Sequence, residues 1–250
     1  MPTRRPSPDQ QFASRLQRIA EIAQIQDRIG EDDARELIEA IGLAFKYHLE
    51  SHGFPEKAVK QIRTKFRDAG RRSAPWKPTS SRVPGRPQDG KDGNRINRWL
   101  LPPDHKFYAT EVNATLVEAK YYLQAWSMAN APELPPDSLQ DCFVWLVGHR
   151  VIPNAYRDPV QLCPIDLRAF AEDRRLVQSG HLRPLDRDGK HIPSNTFLML
   201  ARSNQLQGNL TLDELVGLMQ TIVREHAAAG DVSPTAIASD QDVSQSASAK

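Results

Sequence analysis

The chain has 250 residues, a formal net charge of +2, 39% hydrophobic and 26% charged residues, a size and balance suited to one or two compact, water-soluble domains. No run approaches the roughly 18 apolar residues of a membrane span, and MPTRRPSPDQ leads into amphipathic sequence instead of an apolar signal core, so a cytoplasmic protein with no membrane partner is expected. The only cysteines, Cys142 and Cys163, stand far apart, which excludes a disulfide framework and a four-cysteine zinc site.

Residues 1–8 and 230–250 lack periodic apolar positions and are predicted to be disordered tails. Between them, Phe12, Leu16, Ile19, Ile22, Ala23 and Ile25 recur at helical spacing over 9–28. Leu37, Ile38, Ile41, Phe45 and Leu49 do so over 31–51, with Gly30 separating the two helices. A third helix is predicted from Pro55 to Ala69, with proline at its start and Gly70 beyond its end. The next stretch, 70–98, is too rich in Pro, Gly and Ser to pack and reads as a long mobile loop. From Lys57 to Arg98 there are thirteen Lys or Arg against three Asp, so the remaining chain is net acidic. A basic segment on an acidic chain points to an anionic partner, nucleic acid first. Within the loop, Arg71, Arg72, Lys77, Arg82, Arg86, Lys91 and Arg95 are candidate DNA-binding residues, with Trp76 and Trp99 near its ends. Leu116, Val117, Tyr121, Leu123 and Trp126 predict an apolar helix over 109–130, and after the breaker APELPPD a shorter one runs over 138–149. Residues 9–158 are thus expected to be a mainly helical, DNA-engaging region.

After Pro159 the pattern changes. RLVQSGHLRPL and NTFLML predict two short strands separated by a polar loop, and ARSNQLQ a brief helix. TLDELVGLMQTIVREHA predicts a closing helix with Thr211 and Glu214 as a capping box and Leu212, Leu215, Val216, Met219, Ile222 and Val223 on one face. The order strand, loop, strand, helix, helix over 159–229 makes the fold class α+β.

The segment GHLRPLDRDGKHIPSNTFLMLARSNQLQGNLT, from Gly180 to Thr211, resembles the HNH endonuclease family: His181 is followed by Pro184, Leu185, Gly189, His191 and Asn195, and Asn204 comes nine residues after Asn195. The resemblance extends over about Leu162 to Thr211 and implies a C-terminal ββα-metal nuclease domain. It implies His181 as general base, Asn195 as the residue that holds the His-bearing loop and imidazole, and Asn204 as a ligand to Mg2+ or Mn2+. The chemistry suits those residue types: an imidazole near pKa 6.5 deprotonates water at neutral pH, and a divalent cation neutralises charge developing on the phosphate. Arg183, His191 and Arg202 beside the motif are candidate phosphate-binding residues.

The sequence departs from the family pattern twice. Many members carry Asp before the catalytic His, where this chain has Gly180; the related DRGH-type nucleases also have Gly there and hold a largely hydrated magnesium through one Asn. Asp166, Asp186 and Asp188 are the nearby carboxylates. The zinc-binding cysteine pairs of many members are replaced by CPID, Cys163 to Asp166, and ARSN, Ala201 to Asn204, so no structural zinc is expected and packing of the Thr211 helix would have to replace it. The expected function is metal-dependent cleavage of double-stranded DNA, in a restriction or mobile-element setting. Two alternatives stand beside it. One is a nucleic-acid-binding protein with a degenerate, inactive HNH fold. The other is a PD-(D/E)xK nuclease using Asp104, Glu118 and Lys120, which requires Glu118 and Lys120 on a strand although LVEAKYYLQAW reads as a helix.

Overall fold

The computed structural model describes residues 7–73, 95–135 and 138–230. The first three helices stand where the apolar spacing puts them: α1, Pro8–Ala23; α2, Glu31–Ser51; and α3, Glu56–Gly70. Ser7 caps α1 by accepting from the Gln10 amide while the Gln10 side chain accepts from the Ser7 N–H, so Ser7 and Pro8 belong to this helix and not to a tail. The remainder of the expected tails, 1–6 and 231–250, lies outside the described residues. Helix α1 also stops short of the expected residue 28: Gln26 takes a positive φ of 52° and a single 3-10 turn, Gln26–Arg28, follows.

The expected basic loop has structured ends. Strand β1, Arg72–Ser73, pairs antiparallel with β2, Ile96–Asn97, in the register Arg72↔Asn97 and Ser73↔Ile96. Residues 74–94, which include Trp76, Lys77, Arg82, Arg86 and Lys91, lie outside the described residues. Arg98 closes the pair from beneath: its buried guanidinium donates to the carbonyls of Ala69, Gly70 and Phe107.

Helix α4, Glu111–Trp126, is the centre of the core, with every residue from Ala114 to Trp126 buried. A helix buried on all sides needs neighbours all round. The Phe45 ring of α2 meets Phe66 of α3 and Tyr122 and Trp126 of α4 at centroid distances of 6.2, 5.1 and 5.3 Å. Phe66 also reaches Phe170 of helix α6, Leu167–Glu172, at 6.0 Å. Each such ring, fully buried, contributes up to about 3 kcal/mol of transfer free energy. At Gly70 a Cβ would lie 2.7 Å from Glu118 Cβ, so α3 can end against α4 only with a glycine there. The helix expected over 138–149 is reduced to one turn, α5, Val144–Val147, because Gly148 takes a left-handed φ of 84° and stops it.

Strand β3, Val177–His181, pairs antiparallel with β4, Thr196–Leu200, from Val177↔Leu200 to His181↔Thr196, and α7, Ala201–Gln207, follows at once. This is the expected strand–loop–strand–helix. A two-stranded hairpin alone is marginal in water; here Val177, Phe197, Leu198 and Met199 are buried and the Tyr156 hydroxyl donates to the Leu198 carbonyl. The fully buried Asp158 fastens the end of the hairpin. One carboxylate oxygen accepts from the amides of Val160 and Gln161 and from Ser203 Oγ of α7, and the other from the Leu200 amide, all within 2.9 Å.

The chain divides into two compact units, Met1–Asn209 and Leu210–Lys250, and all elements named so far lie in the first. The second holds α8, Leu212–Ala228, with the expected reciprocal capping box between Thr211 and Glu214. Val216, Met219, Ile222 and Val223 are 44–51% exposed, so the apolar face expected to pack is largely open. Among the described residues no helix is long and apolar enough to cross a membrane.

Removing the Asp158 carboxylate strands three backbone amides and a hydroxyl. Asp158→Ala is expected to lower the unfolding free energy by about 3 kcal/mol in urea titration; a loss within the ~0.5 kcal/mol typical of surface substitutions contradicts the role given to it.

Candidate active site

The loop between β3 and β4 is held shut by one side chain. Asn195 Oδ1 accepts from the Arg183 amide at 2.8 Å, and Nδ2 donates to the carbonyls of Arg183 and Lys190 at 3.0 and 2.8 Å. The Gly189 amide donates to the Pro184 carbonyl at 3.0 Å and draws the loop tight. Asn195 therefore holds the loop and makes no hydrogen bond to the imidazole.

The imidazole of His181 is held by His191. His191 is 1% exposed, its Nε2 lies 2.7 Å from the Gly70 carbonyl, and its Nδ1 lies 3.1 Å from His181 Nε2. Burial, with a smaller contribution from the nearby Arg98 charge, pushes the pKa of His191 well below its ordinary value and that of His181 down to about 4, so both rings are neutral at neutral pH. The tautomers then follow from the partners. A carbonyl only accepts, so His191 Nε2 must carry the proton and His191 Nδ1 must accept. His181 Nε2 is therefore the donor between the two rings. That leaves the lone pair of His181 on Nδ1, which has no hydrogen-bond partner among the described residues. His191, a candidate phosphate contact from the sequence, has both ring nitrogens committed here and fixes the proton on His181.

His181 and Asn204 line one cavity of about 390 Å3, together with Phe107, Ser179, Asp186 and Gln207. Two amides moor α7 to β3 there: Asn204 Nδ2 donates to Gln178 Oε1 at 2.8 Å, and Gln207 Nε2 to the His181 carbonyl at 2.7 Å. Residues 204 and 207 are one helical turn apart, the spacing that puts both on one face. Asn204 Oδ1 makes no hydrogen bond among the described residues. Of the nearby carboxylates, Asp186 borders the cavity and accepts from Lys106 Nζ at 2.6 Å, whereas Asp166 is spent capping α6. Among the described residues there is no group of three or more His, Cys, Asp or Glu suited to a metal. An amide oxygen with one carboxylate fits a hard, largely hydrated cation such as Mg2+ and does not fit zinc. Gly180 has a steric reason. In register with Phe197, a Cβ there would fall 2.3 Å from the Sδ of the fully buried Met199 and 3.0 Å from Phe197 Cε2, so an aspartate has no room.

Other sequence candidates turn elsewhere. Arg183 Nε donates to the Arg187 carbonyl at 2.6 Å within its own loop, and neither Arg183 nor the exposed Arg202 lines the cavity. Arg71, expected to be a DNA contact, donates through Nε to the buried Glu118 carboxylate at 2.5 Å. The PD-(D/E)xK pattern asks for Glu118 and Lys120 on a strand, which is not where they stand. Glu118 and Lys120 lie on helix α4, about 200° apart around its axis, and Lys120 Nζ donates to the Pro193 carbonyl at 2.7 Å. The ring relay and the glutamine moorings were not read from the sequence; the only local signal was the tight loop that brings His191 back towards His181.

No family model matches the sequence, and no curated protein matches it. Among solved structures, one described as the crystal structure of a type II restriction endonuclease is similar at 17% sequence identity and a TM-score of 0.42, over 53% of this chain and 62% of that one. The chain thus spans less than two thirds of that neighbour's length.

The two depressed imidazole pKa values set a pH window for stability. Each ring binds its proton more weakly in the folded chain than in the unfolded one, so protonation favours unfolding. Their contribution is complete above the unfolded value of about 6.5 and is lost as the pH falls towards the folded value of His181, about 4. The melting temperature is expected to fall over this window in the wild type and less steeply in His191→Gln; equal slopes contradict the buried neutral pair.

Proposed function

We propose that the chain is a metal-dependent DNA endonuclease of the HNH type, hydrolysing phosphodiester bonds in the cavity lined by His181 and Asn204. The observation that carries this reading is the unprotonated Nδ1 of His181, fixed by a relay ending on a backbone carbonyl, on a residue that lines the same cavity as Asn204, whose Oδ1 makes no hydrogen bond among the described residues. His181 Nδ1 takes a proton from water as the water oxygen bonds to phosphorus; the bond from phosphorus to one sugar oxygen breaks, and that oxygen takes a proton from solvent. Asn204, with Asp186, would hold a Mg2+ or Mn2+ ion, which when bound offsets the charge that develops on the phosphate. Asn195 keeps the loop closed and His191 keeps the proton off the reacting nitrogen. Helix α7 sets Asn204 opposite the strand that ends in His181.

The test is plasmid nicking with Mg2+, Mn2+ or EDTA. Nicking is expected with either metal, to vanish in EDTA, and to fall at least a hundredfold in His181→Ala while surviving in Asp104→Ala. Because the free base has its pKa at about 4, kcat/KM is expected to show no inflection near 6.5, the value of an unperturbed imidazole. Loss of nicking in Asp104→Ala with retention in His181→Ala overturns the reading in favour of the PD-(D/E)xK alternative, and DNA binding without cleavage under any metal overturns it in favour of an inactive binder.

A further inference from the structure

A second cavity, of about 650 Å3, shares two walls with the first, Phe107 and Ser179. Gln178 joins them as well, lining the larger cavity and bonding Asn204 of the smaller. Among the described residues, six cationic side chains border it, Lys65, Arg72, Arg95, Arg98, Arg174 and Arg175, against one carboxylate, Asp68. They converge from the body of α3, from the β1–β2 pair and from the turn before β3.

Among the described residues, half of these cations bond to carbonyls and not to carboxylates, so the cluster keeps a net positive charge. Arg98 donates only to carbonyls, as do Lys65, to the Arg174 carbonyl at 2.5 Å, and Arg95, to the Asp68 carbonyl at 3.1 Å. Arg72 stands 3.6 Å from the Asp68 carboxylate, beyond hydrogen-bond range. The Arg174 guanidinium makes no hydrogen bond or ion pair among the described residues. Two of the six face a carboxylate, Arg72 in its long ion pair with Asp68 and Arg175 in an exposed pair with Asp173. Carbonyls satisfy N–H groups but leave like charges facing one another. Consistent with that crowding, burial and then the Arg174 charge draw the Lys65 ammonium down to a pKa of about 8. A wall of this kind is relieved by a polyanion, and its continuity with the His181 cavity limits which polyanion.

We propose that this cavity is the track for the stretch of DNA backbone next to the scissile phosphate, with Lys65, Arg72, Arg95, Arg174 and Arg175 holding its phosphates. The proposal rests on the nuclease reading, and its test separates the two. Binding of a short fluorescent DNA duplex to the His181→Ala chain in EDTA, followed by anisotropy across a salt series, reads the track without any cleavage. Arg72 and Arg174 have solvent-accessible side chains, and the one bond between them is the long Arg72–Asp68 ion pair, of a kind that contributes little to stability, so Arg72→Gln/Arg174→Gln is expected to fold, to bind several-fold more weakly at low salt, and to lower the slope of log K against log salt by about 2. Arg174→Glu is expected to weaken binding further. Arg150→Gln, outside the cavity and paired with Asp141, is expected to leave the slope unchanged. An unchanged slope in the double variant, or an equal drop in Arg150→Gln, overturns the track even where the wild-type chain cleaves DNA. A track-dependent slope in a chain that never nicks plasmid supports the track and overturns the nuclease reading instead.

Discussion

Buried polar side chains are costly without partners, and three on the buried helix α4 reach partners outside it: Glu118, Lys120 and Gln124. Leaving one such group unpaired costs on the order of 1–3 kcal/mol, more for a charge. Their partners are Arg71 beyond the end of α3, the Pro193 carbonyl in the hairpin loop and the Leu198 amide in β4. Two of the three bonds therefore fasten the β3–β4 hairpin to the helical core. The hairpin thereby gains a footing on the helical core, and Lys120 and Gln124 find these partners only when it is in place.

The same logic of satisfaction runs into the candidate site. Gly70 ends α3 against α4, and its carbonyl, unable to bond within the helix, accepts from both Arg98 and His191. His191 in turn dictates which nitrogen of His181 is bare. A contact made for packing at one end of the chain so becomes a chemical instruction at the other, across 121 residues of sequence. The basic cavity follows from the same corner: Arg98, committed to three carbonyls, keeps its charge in the wall shared by the β1–β2 pair and α3.

Local features were legible in the sequence because their causes are local. The apolar spacing marked α1 to α4, Thr211 and Glu214 marked the start of α8, and two short apolar segments separated by a polar loop marked the hairpin. Where one residue's backbone decides, the pattern misled: Gly148 cuts the expected helix to the single turn α5, and Gln26 ends α1 early. Long-range commitments were not legible. Nothing near Arg71 in sequence says that it pairs with Glu118, and nothing near Asp158 says that it will gather Leu200 and Ser203. The site divides along the same line. Asn195 and Asn204 stand at positions that spacing could indicate, whereas the part of His191 depends on a carbonyl from another helix.

The assignment of His181 as a base depends on where its proton sits, and that is directly observable. Nitrogen and carbon chemical shifts of the histidine rings in isotope-labelled protein at neutral pH report both charge and tautomer. The expected result is two neutral rings, His181 and His191, each protonated on Nε2, with His181 shifting to the Nδ1-protonated or charged form in His191→Ala. A His181 ring that is charged at neutral pH, or that carries its proton on Nδ1 in the wild-type chain, contradicts the relay and with it the proposed base.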